Sequence, residues 1–384
     1  MNNKPFTLCA VTALLCVAYT PASFAQPPAP RPAGPPPLVS PDIAANGDVT
    51  LRLRAPSAAT VELVSGGDIP TIPFGRGLAL AKGADGVWEV AMPALPSGAY
   101  RYRLSVDGVP TNDPSNPLTS QSNANAWSLF YVPGTAFMDA QRVPHGAVAE
   151  LHYYSSVLDR HRRMHVYTPP GYERSRDSHP VLYLLHGASD NDDSWSTVGR
   201  AGFILDNLIA AGRAVPMIVV MPDGHTGPFA LGAGGGLNTE EFVREFNADI
   251  KPTVEARYRV RAEREATAIA GLSMGGAQTL DIAFGDLASY AYVGVYSSGV
   301  FGIQQNTAWE DRQRPKLENA ALKRGLELVW FSTGKDDFLL ETTRATVAML
   351  KKHGFDVAYE ESGGGHTWIN WREYLNAFAP QLFK

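Results

Sequence analysis

A chain of 384 residues, 45% hydrophobic and 18% charged, can bury a sizeable core and is long enough for two domains. Its formal charge of −5 leaves no basic footprint, which argues against nucleic acid as a partner. Both cysteines, Cys9 and Cys16, fall in the N-terminal apolar run, so no thiol nucleophile and no disulfide is expected in the remainder.

Residues 1–25 read as a secretory signal peptide. Lys4 supplies the positive start, residues 6–19 form an apolar run too short to span a bilayer, and Ser23-Phe24-Ala25 fits a small-x-small cleavage site before Gln26. Leu15 is too bulky for the small residue that lipidation at Cys16 would want. A secreted or periplasmic protein with no membrane partner is the expectation. Residues 26–41 carry eight prolines and read as an extended spacer.

Residues 42–135 change character. Short stretches such as Val49-Thr50-Leu51-Arg52-Leu53-Arg54 and Tyr100-Arg101-Tyr102-Arg103-Leu104 alternate apolar with polar side chains. Asn46-Gly47, Asp85-Gly86, Ser97-Gly98 and Asp107-Gly108 punctuate them. Short alternating strands with turns at this spacing predict a small antiparallel β-sandwich. Trp88 and Tyr102 sit at core positions of that alternation, so no aromatic platform for sugar is visible.

Residues 146–384 alternate strands with helices. Apolar strands are predicted at 179–186, 217–221, 267–270, 292–296 and 326–331, with helices at 239–258, 339–353 and 368–378. Thr239 is placed as the cap of the first of these, with Glu240 and Glu241 in its first turn. Fully apolar strands in such alternation predict a doubly wound α/β fold, a mostly parallel sheet covered on both faces. Catalytic groups then belong at the carboxyl ends of the strands.

The strand ending at Ala270 runs into Gly271-Leu272-Ser273-Met274-Gly275-Gly276 and straight on into helix-compatible residues. A serine on such a strand-to-helix turn projects its hydroxyl out of the fold, which is what a nucleophile for acyl transfer needs and what an α/β-hydrolase provides. In that fold the acid and the histidine follow the serine in the chain. The strand at 326–331 empties into Gly334-Lys335-Asp336-Asp337, and a short strand at 357–360 leads to Gly363-Gly364-Gly365-His366. His366 is the expected base, and Asp336 or Asp337 the acid, the other capping the next helix. Oxyanion donors are expected from the amides of Met274 and, in His186-Gly187-Ala188-Ser189-Asp190, of Ala188. His186 itself reads as structural.

Other candidates are weaker. Trp195 and Trp368 flank the expected cleft and either stack on substrate or fill the core; His225 is a further candidate substrate contact. His145, His152, His161, His165, His179 and His353 show no metal-ligand spacing. The run Asp190, Asp192, Asp193 lacks the Gly and Glu of a calcium loop and reads as a solvated loop. No metal and no cofactor are expected.

Leu184-Leu185-His186-Gly187, Gly271-Leu272-Ser273-Met274-Gly275-Gly276, Gly334-Lys335-Asp336-Asp337-Phe338-Leu339 and Gly365-His366-Thr367-Trp368 together resemble carbohydrate esterase family 1. That family holds feruloyl and acetylxylan esterases and is related to the enterochelin esterases and the mycolyltransferase-like esterases. Arg163-Met164-His165-Val166-Tyr167-Thr168-Pro169-Pro170-Gly171-Tyr172 is similar to its entry strand. Val106-Asp107-Gly108 and Asp113-Pro114-Ser115-Asn116-Pro117 resemble the Ig-like, family 48-type carbohydrate-binding module often fused ahead of it. The resemblance implies hydrolysis of feruloyl or acetyl esters on plant cell-wall polysaccharide by a Ser273–His366–Asp337 triad through an acyl-enzyme. It is also what selects Asp337 over Asp336. Another ester, such as a siderophore lactone or a small aryl ester, and a carbohydrate-binding protein with an inert hydrolase domain stay open, as does monomer or loose dimer.

Overall fold

The computed structural model describes residues 37–73, 76–228 and 239–384. The expected signal peptide, most of the proline-rich spacer and the glycine run at 232–236 lie outside the described residues. Residues 38–384 form one compact unit.

The N-terminal part is all β. Strands β1 (Asp42–Ile43), β2 (Val49–Arg54), β3 (Val61–Ser65), β4 (Gly77–Ala79), β5 (Ala81–Lys82), β6 (Val87–Met92), β7 (Gly98–Val106), β8 (Val109–Thr111), β9 (Thr119–Gln121) and β10 (Ala126–Val132) build two antiparallel sheets. One runs β1-β2-β6-β5 and the other β4-β3-β7-β10-β9, with β8 paired to β7. Period-two alternation sends Val49, Leu51 and Leu53 of β2 and Tyr100, Tyr102 and Leu104 of β7 into a shared core with Trp88. At the β7–β8 hairpin Asp107 and Gly108 both have positive φ, 48° and 83°, as a tight two-residue turn requires.

The opposite face of the β7 sheet departs from the sandwich pattern. A sheet in a free-standing sandwich shows water one face. Here Ala99 and Arg101 are buried, and Leu129 and Tyr131 pack on the hydrophobic cluster of the C-terminal part.

That C-terminal part is built on one eight-stranded sheet: β11 (Ala147–Ser155), β12 (Arg160–Thr168), β13 (Val181–Leu185), β14 (Ile218–Pro222), β15 (Thr267–Leu272), β16 (Tyr292–Tyr296), β17 (Leu328–Gly334) and β18 (Ala358–Ser362). The order is β11-β12-β14-β13-β15-β16-β17-β18. The first two strands pair antiparallel and β14 to β18 run parallel. Helices are α1 (Ala201–Ala210), α2 (Thr239–Glu245), α3 (Lys251–Arg257), α4 (Met274–Gly285), α5 (Ala308–Leu317), α6 (Ala320–Arg324), α7 (Leu340–Lys352) and α8 (Trp368–Phe378). Alternate residues of β13 divide the core. Val181, Tyr183 and Leu185 pack under α2, α3, α4 and α7, while Leu182 and Leu184 pack under α1 and α8.

The helix predicted at 239–258 is present but widened by a π-helical turn at Phe246–Ile250. Buried carboxylates flank the widening. Glu245 accepts from Tyr153 Oη and Arg162 Nε, and Asp249 from the hydroxyls of Ser155 and Ser156.

Candidate active site

Strand β15 lies between β13 and β16 with every residue buried, so its carboxyl end is rigidly placed. Ser273 follows it at φ 51°, ψ −117°, an unfavourable conformation for a residue with a side chain. It is held there from both sides: its amide donates to Tyr296 O at 2.9 Å, and Ser298 Oγ donates to its carbonyl at 2.5 Å. The turn is too tight for side chains at its flanks. A Cβ on Gly271 would stand 2.3 Å from Gly275 O, and one on Gly275 would stand 2.5 Å from His186 O.

His366 comes from the loop between β18 and α8, and Asp337 from the loop leaving β17. The two loops are zipped by backbone hydrogen bonds, Lys335 N to Ser362 O and Asp336 N to Gly364 O, each 2.9 Å. His366 Nδ1 lies 3.0 Å from both Asp337 oxygens. With Nδ1–H donated to the carboxylate, Nε2 keeps its lone pair. Asp337 is 5% exposed and Asp336 is exposed, so of the two candidate acids only Asp337 meets the imidazole. Burial works to raise the Asp337 carboxyl, but the His366 hydrogen bond and charge and the Leu339 amide outweigh it and hold the group below its ordinary value.

The loop at 186–190 lies directly on the elbow. A Cβ added to Gly187 would sit 2.7 Å from Leu272 Cδ1 and 3.5 Å from Ser273 Cβ. Neither the Ala188 nor the Met274 amide finds an acceptor among the described residues. His186 Nδ1 lies 2.8 Å from Gly187 O, and its Nε2 accepts the Gly224 amide at 2.8 Å. Burial works to lower the His186 imidazole, but the hydrogen bond and charge of Asp223, 3.5 Å from Nε2, outweigh it and hold the group above its ordinary value. His186 thus ties the loop to the end of β14.

Ser273 and His366 open on one cavity of about 470 Å³. Its C-terminal side is lined by Ala188, Phe338, Trp368 and Trp371. Phe338 is 76% exposed, with its ring 4.3 Å from that of His366. Trp368 lines the cavity although almost fully buried, whereas Trp195 lies in the core against it, its indole N–H donated to Leu185 O at 3.1 Å. His225 lines a separate groove with Arg160 and Arg163, and burial pushes its imidazole down to about 4.

The far wall of the cavity was not foreseen. It comes from the all-β part: Asp68, Ile69, Pro70, Ile72 and Arg101 line it. The acidic run read as a solvated loop is instead buried. Asp190 pairs with Arg101 of the all-β part. Asp192 pairs with Arg163 and His165, and Asp193 accepts the amide of Gln121. The burial has a simple cause: Asp190 and Asp193 face the sheet β7-β10-β9, Asp192 faces β12, and none of the three faces water. Only the alternation of Tyr100-Arg101-Tyr102-Arg103 hinted at it, and alternation says which residues face away from the core without saying what they meet.

Among the described residues no group of three or more His, Cys, Asp and Glu could hold a metal ion, and no helix is long and apolar enough to cross a membrane.

The chain is 30% identical over 367 residues to an endo-1,4-beta-xylanase/feruloyl esterase of Xylanibacter ruminicola, covering 92% of this chain and 47% of that protein. It therefore spans about half of that relative's length. An acetyl esterase of Caldicellulosiruptor saccharolyticus is 26% identical over 268 residues, 60% of this chain and 97% of that one. Among solved structures, a ferulic acid esterase of Anaeromyces mucronatus in complex with ferulic acid superposes with a TM-score of 0.57 at 24% identity, covering 66% of this chain and 96% of that chain. The enterobactin esterase of Shigella flexneri gives 0.61 at 18% identity over 88% and 92%. At those identities the two likenesses concern the fold. Since the Esterase family's sequence model matches residues 155–382, well over half of its length, the chain belongs to that family and is a carboxylic ester hydrolase.

Proposed function

We propose that this protein is a secreted or periplasmic serine esterase that removes aromatic acyl groups of the feruloyl type from plant cell-wall polysaccharide. The observation that carries the reading is the cavity of about 470 Å³ at Ser273 and His366, lined by Phe338, Trp368, Trp371, Ile69 and Ile72. It falls in the usual range for a site that buries a small ligand among apolar and aromatic side chains. An acetyl group would leave most of it empty; an aryl acyl group would occupy far more of it and reach its aromatic lining. The xylanase/feruloyl esterase relative supports the same substrate class.

In this mechanism His366 Nε2 takes the proton of Ser273 Oγ as that oxygen attacks the ester carbonyl. Asp337 keeps the imidazole in the tautomer that can accept the proton and stabilises the imidazolium that forms. The amides of Met274 and Ala188 donate to the oxyanion. His366 then protonates the departing sugar hydroxyl, leaving an acyl-enzyme, and the same groups activate water to release the acid. No cofactor enters any step.

A second reading, an ester of another class such as a siderophore lactone, draws on the likeness to the enterobactin esterase, which extends over 88% of this chain. Initial rates on methyl ferulate and p-nitrophenyl acetate, with Ser273→Ala alongside, separate the possibilities. Ferulate turnover that vanishes in the variant supports the proposal. Turnover of acetate alone keeps the serine mechanism and removes the aryl substrate, and turnover retained by Ser273→Ala refutes the nucleophile.

A further inference from the structure

Arg101 lies on β7, on the face turned away from the all-β core, and is 4% exposed. Its guanidinium is gripped by two carboxylates: Nε donates to Asp68 Oδ2 at 2.8 Å, and Nη1 donates to Asp190 Oδ1 at 2.7 Å. All three side chains are at most 5% exposed. A buried ionic cluster of this kind is a poor way to gain stability, since apolar residues of the same volume often do as well or better. What it does provide is a fixed position. Planar guanidinium forks define direction as well as distance, which an apolar contact does not.

The position being fixed is that of the loop over the nucleophile. Asp190 N donates to Gly187 O at 3.1 Å, closing a turn with Ala188 and Ser189 inside it. The Asp190 carboxylate lies 3.2 Å from where a Cβ on Gly187 would stand, and that same point is 3.5 Å from Ser273 Cβ. Arg101 also rests near the ring of Trp368, 5.9 Å from its centre, two residues past His366. One side chain of the all-β part therefore reaches the loop that carries the Ala188 amide and the wall that follows His366.

We propose that Arg101 is a positioning residue. By holding the Asp190 carboxylate it keeps the Ala188 amide aimed at the oxyanion that forms on the substrate's carbonyl oxygen when Ser273 attacks, which makes the N-terminal all-β part a component of the catalytic site. The proposal rests on the serine esterase reading above.

The test uses the full chain and p-nitrophenyl acetate, whose small acyl group does not fill the apolar cavity. Arg101→Lys keeps the charge and loses the fork that spans Asp68 and Asp190. Its kcat is expected to fall about 10- to 100-fold with KM within about twofold, since a misaimed group near the chemistry costs up to about 10². Phenylboronic acid supplies the readout that a merely structural role would not move. Its boron adds to the serine oxygen and becomes tetrahedral, so its Ki should rise by the same factor while the Kd of ferulate stays put. Asp190→Asn, which keeps shape and weakens the charge-assisted bond, should lower kcat about 3- to 10-fold in the same direction.

A folded Arg101→Lys that keeps kcat and boronate affinity within about twofold overturns the proposal, as does a loss confined to KM. If Arg101→Lys does not fold, Asp190→Asn decides by the same two parameters. Wild type with no turnover, or an active Ser273→Ala, would instead refute the serine esterase reading; normal controls beside unaffected Arg101 and Asp190 variants would refute only the positioning role.

Discussion

The two walls of the cavity are built by different means. The wall that carries Asp337 and His366 is made within the α/β part, from two loops 29 residues apart in the chain and joined backbone to backbone. The opposite wall comes from the all-β part and is clamped to the Ala188 loop by Arg101, 89 residues from Asp190. Hydrogen bonds between neighbouring loops are satisfied wherever the sheet forms. A buried charge triad works only if the two layers meet in register. The first wall comes with the hydrolase sheet, and the second depends on docking.

Ways of breaking this comparison can be ranked by effect. Ser273→Ala removes the group both walls serve and should lower kcat by about 10⁶, as loss of a serine nucleophile does elsewhere, with little change in Tm. A residual rate within tenfold of wild type would move the nucleophile elsewhere. Within the first wall, Asp337→Asn should lower kcat by about 10⁴ by stabilising the wrong imidazole tautomer, while Asp336→Asn, exposed and off the ring, should stay within about threefold. Kinetics of the two variants side by side would reverse the assignment if the order were inverted.

Phe338→Ala probes the cavity itself. The ring is exposed and packs on His366, so its loss should raise KM for methyl ferulate by about 10-fold, roughly the value of one lost aromatic contact, and change p-nitrophenyl acetate kinetics by less than about twofold. Equal effects on both substrates would mean that Phe338 acts through His366.

The smallest effect is one of stability. Burial lowers the His225 pKa to about 4, while the unfolded chain binds that proton near about 6.5. Between those values the unfolded state carries more protons, so the stability contribution is complete above about 6.5 and is lost as pH falls toward 4. The slope from this one group is at most about 1.4 kcal/mol per pH unit, and His225→Gln should flatten it in denaturant titrations across that window.

Much of the fold was legible because local pattern and tertiary placement agreed. Period-two alternation in β2 and β7 and the all-apolar strands β13 to β16 each follow from which faces can be dehydrated. The elbow was legible for a steric reason, since Gly271 and Gly275 are where the backbone crosses too closely for a Cβ. The π-helical turn at 246–250 was not legible, because the apolar spacing of the helix carries through it. Asp190, Asp192 and Asp193 misled for the opposite reason: three acids in four residues look solvated unless their partners at Arg101, Arg163, His165 and Gln121 are known.

By itself, then, the sequence determined the order of strands and helices, the strand-to-helix serine turn and the pair of loops that could bring an acid and a histidine to it. Those depend on periodicity, turn chemistry and short-range sterics, all of which are written in neighbouring residues. Only the tertiary structure decided that Trp195 is core, and that one wall of the cavity comes from the N-terminal all-β part. Those outcomes turn on which surfaces exclude water against each other, and a carboxylate or an arginine carries no local mark of whether it will face solvent or a partner.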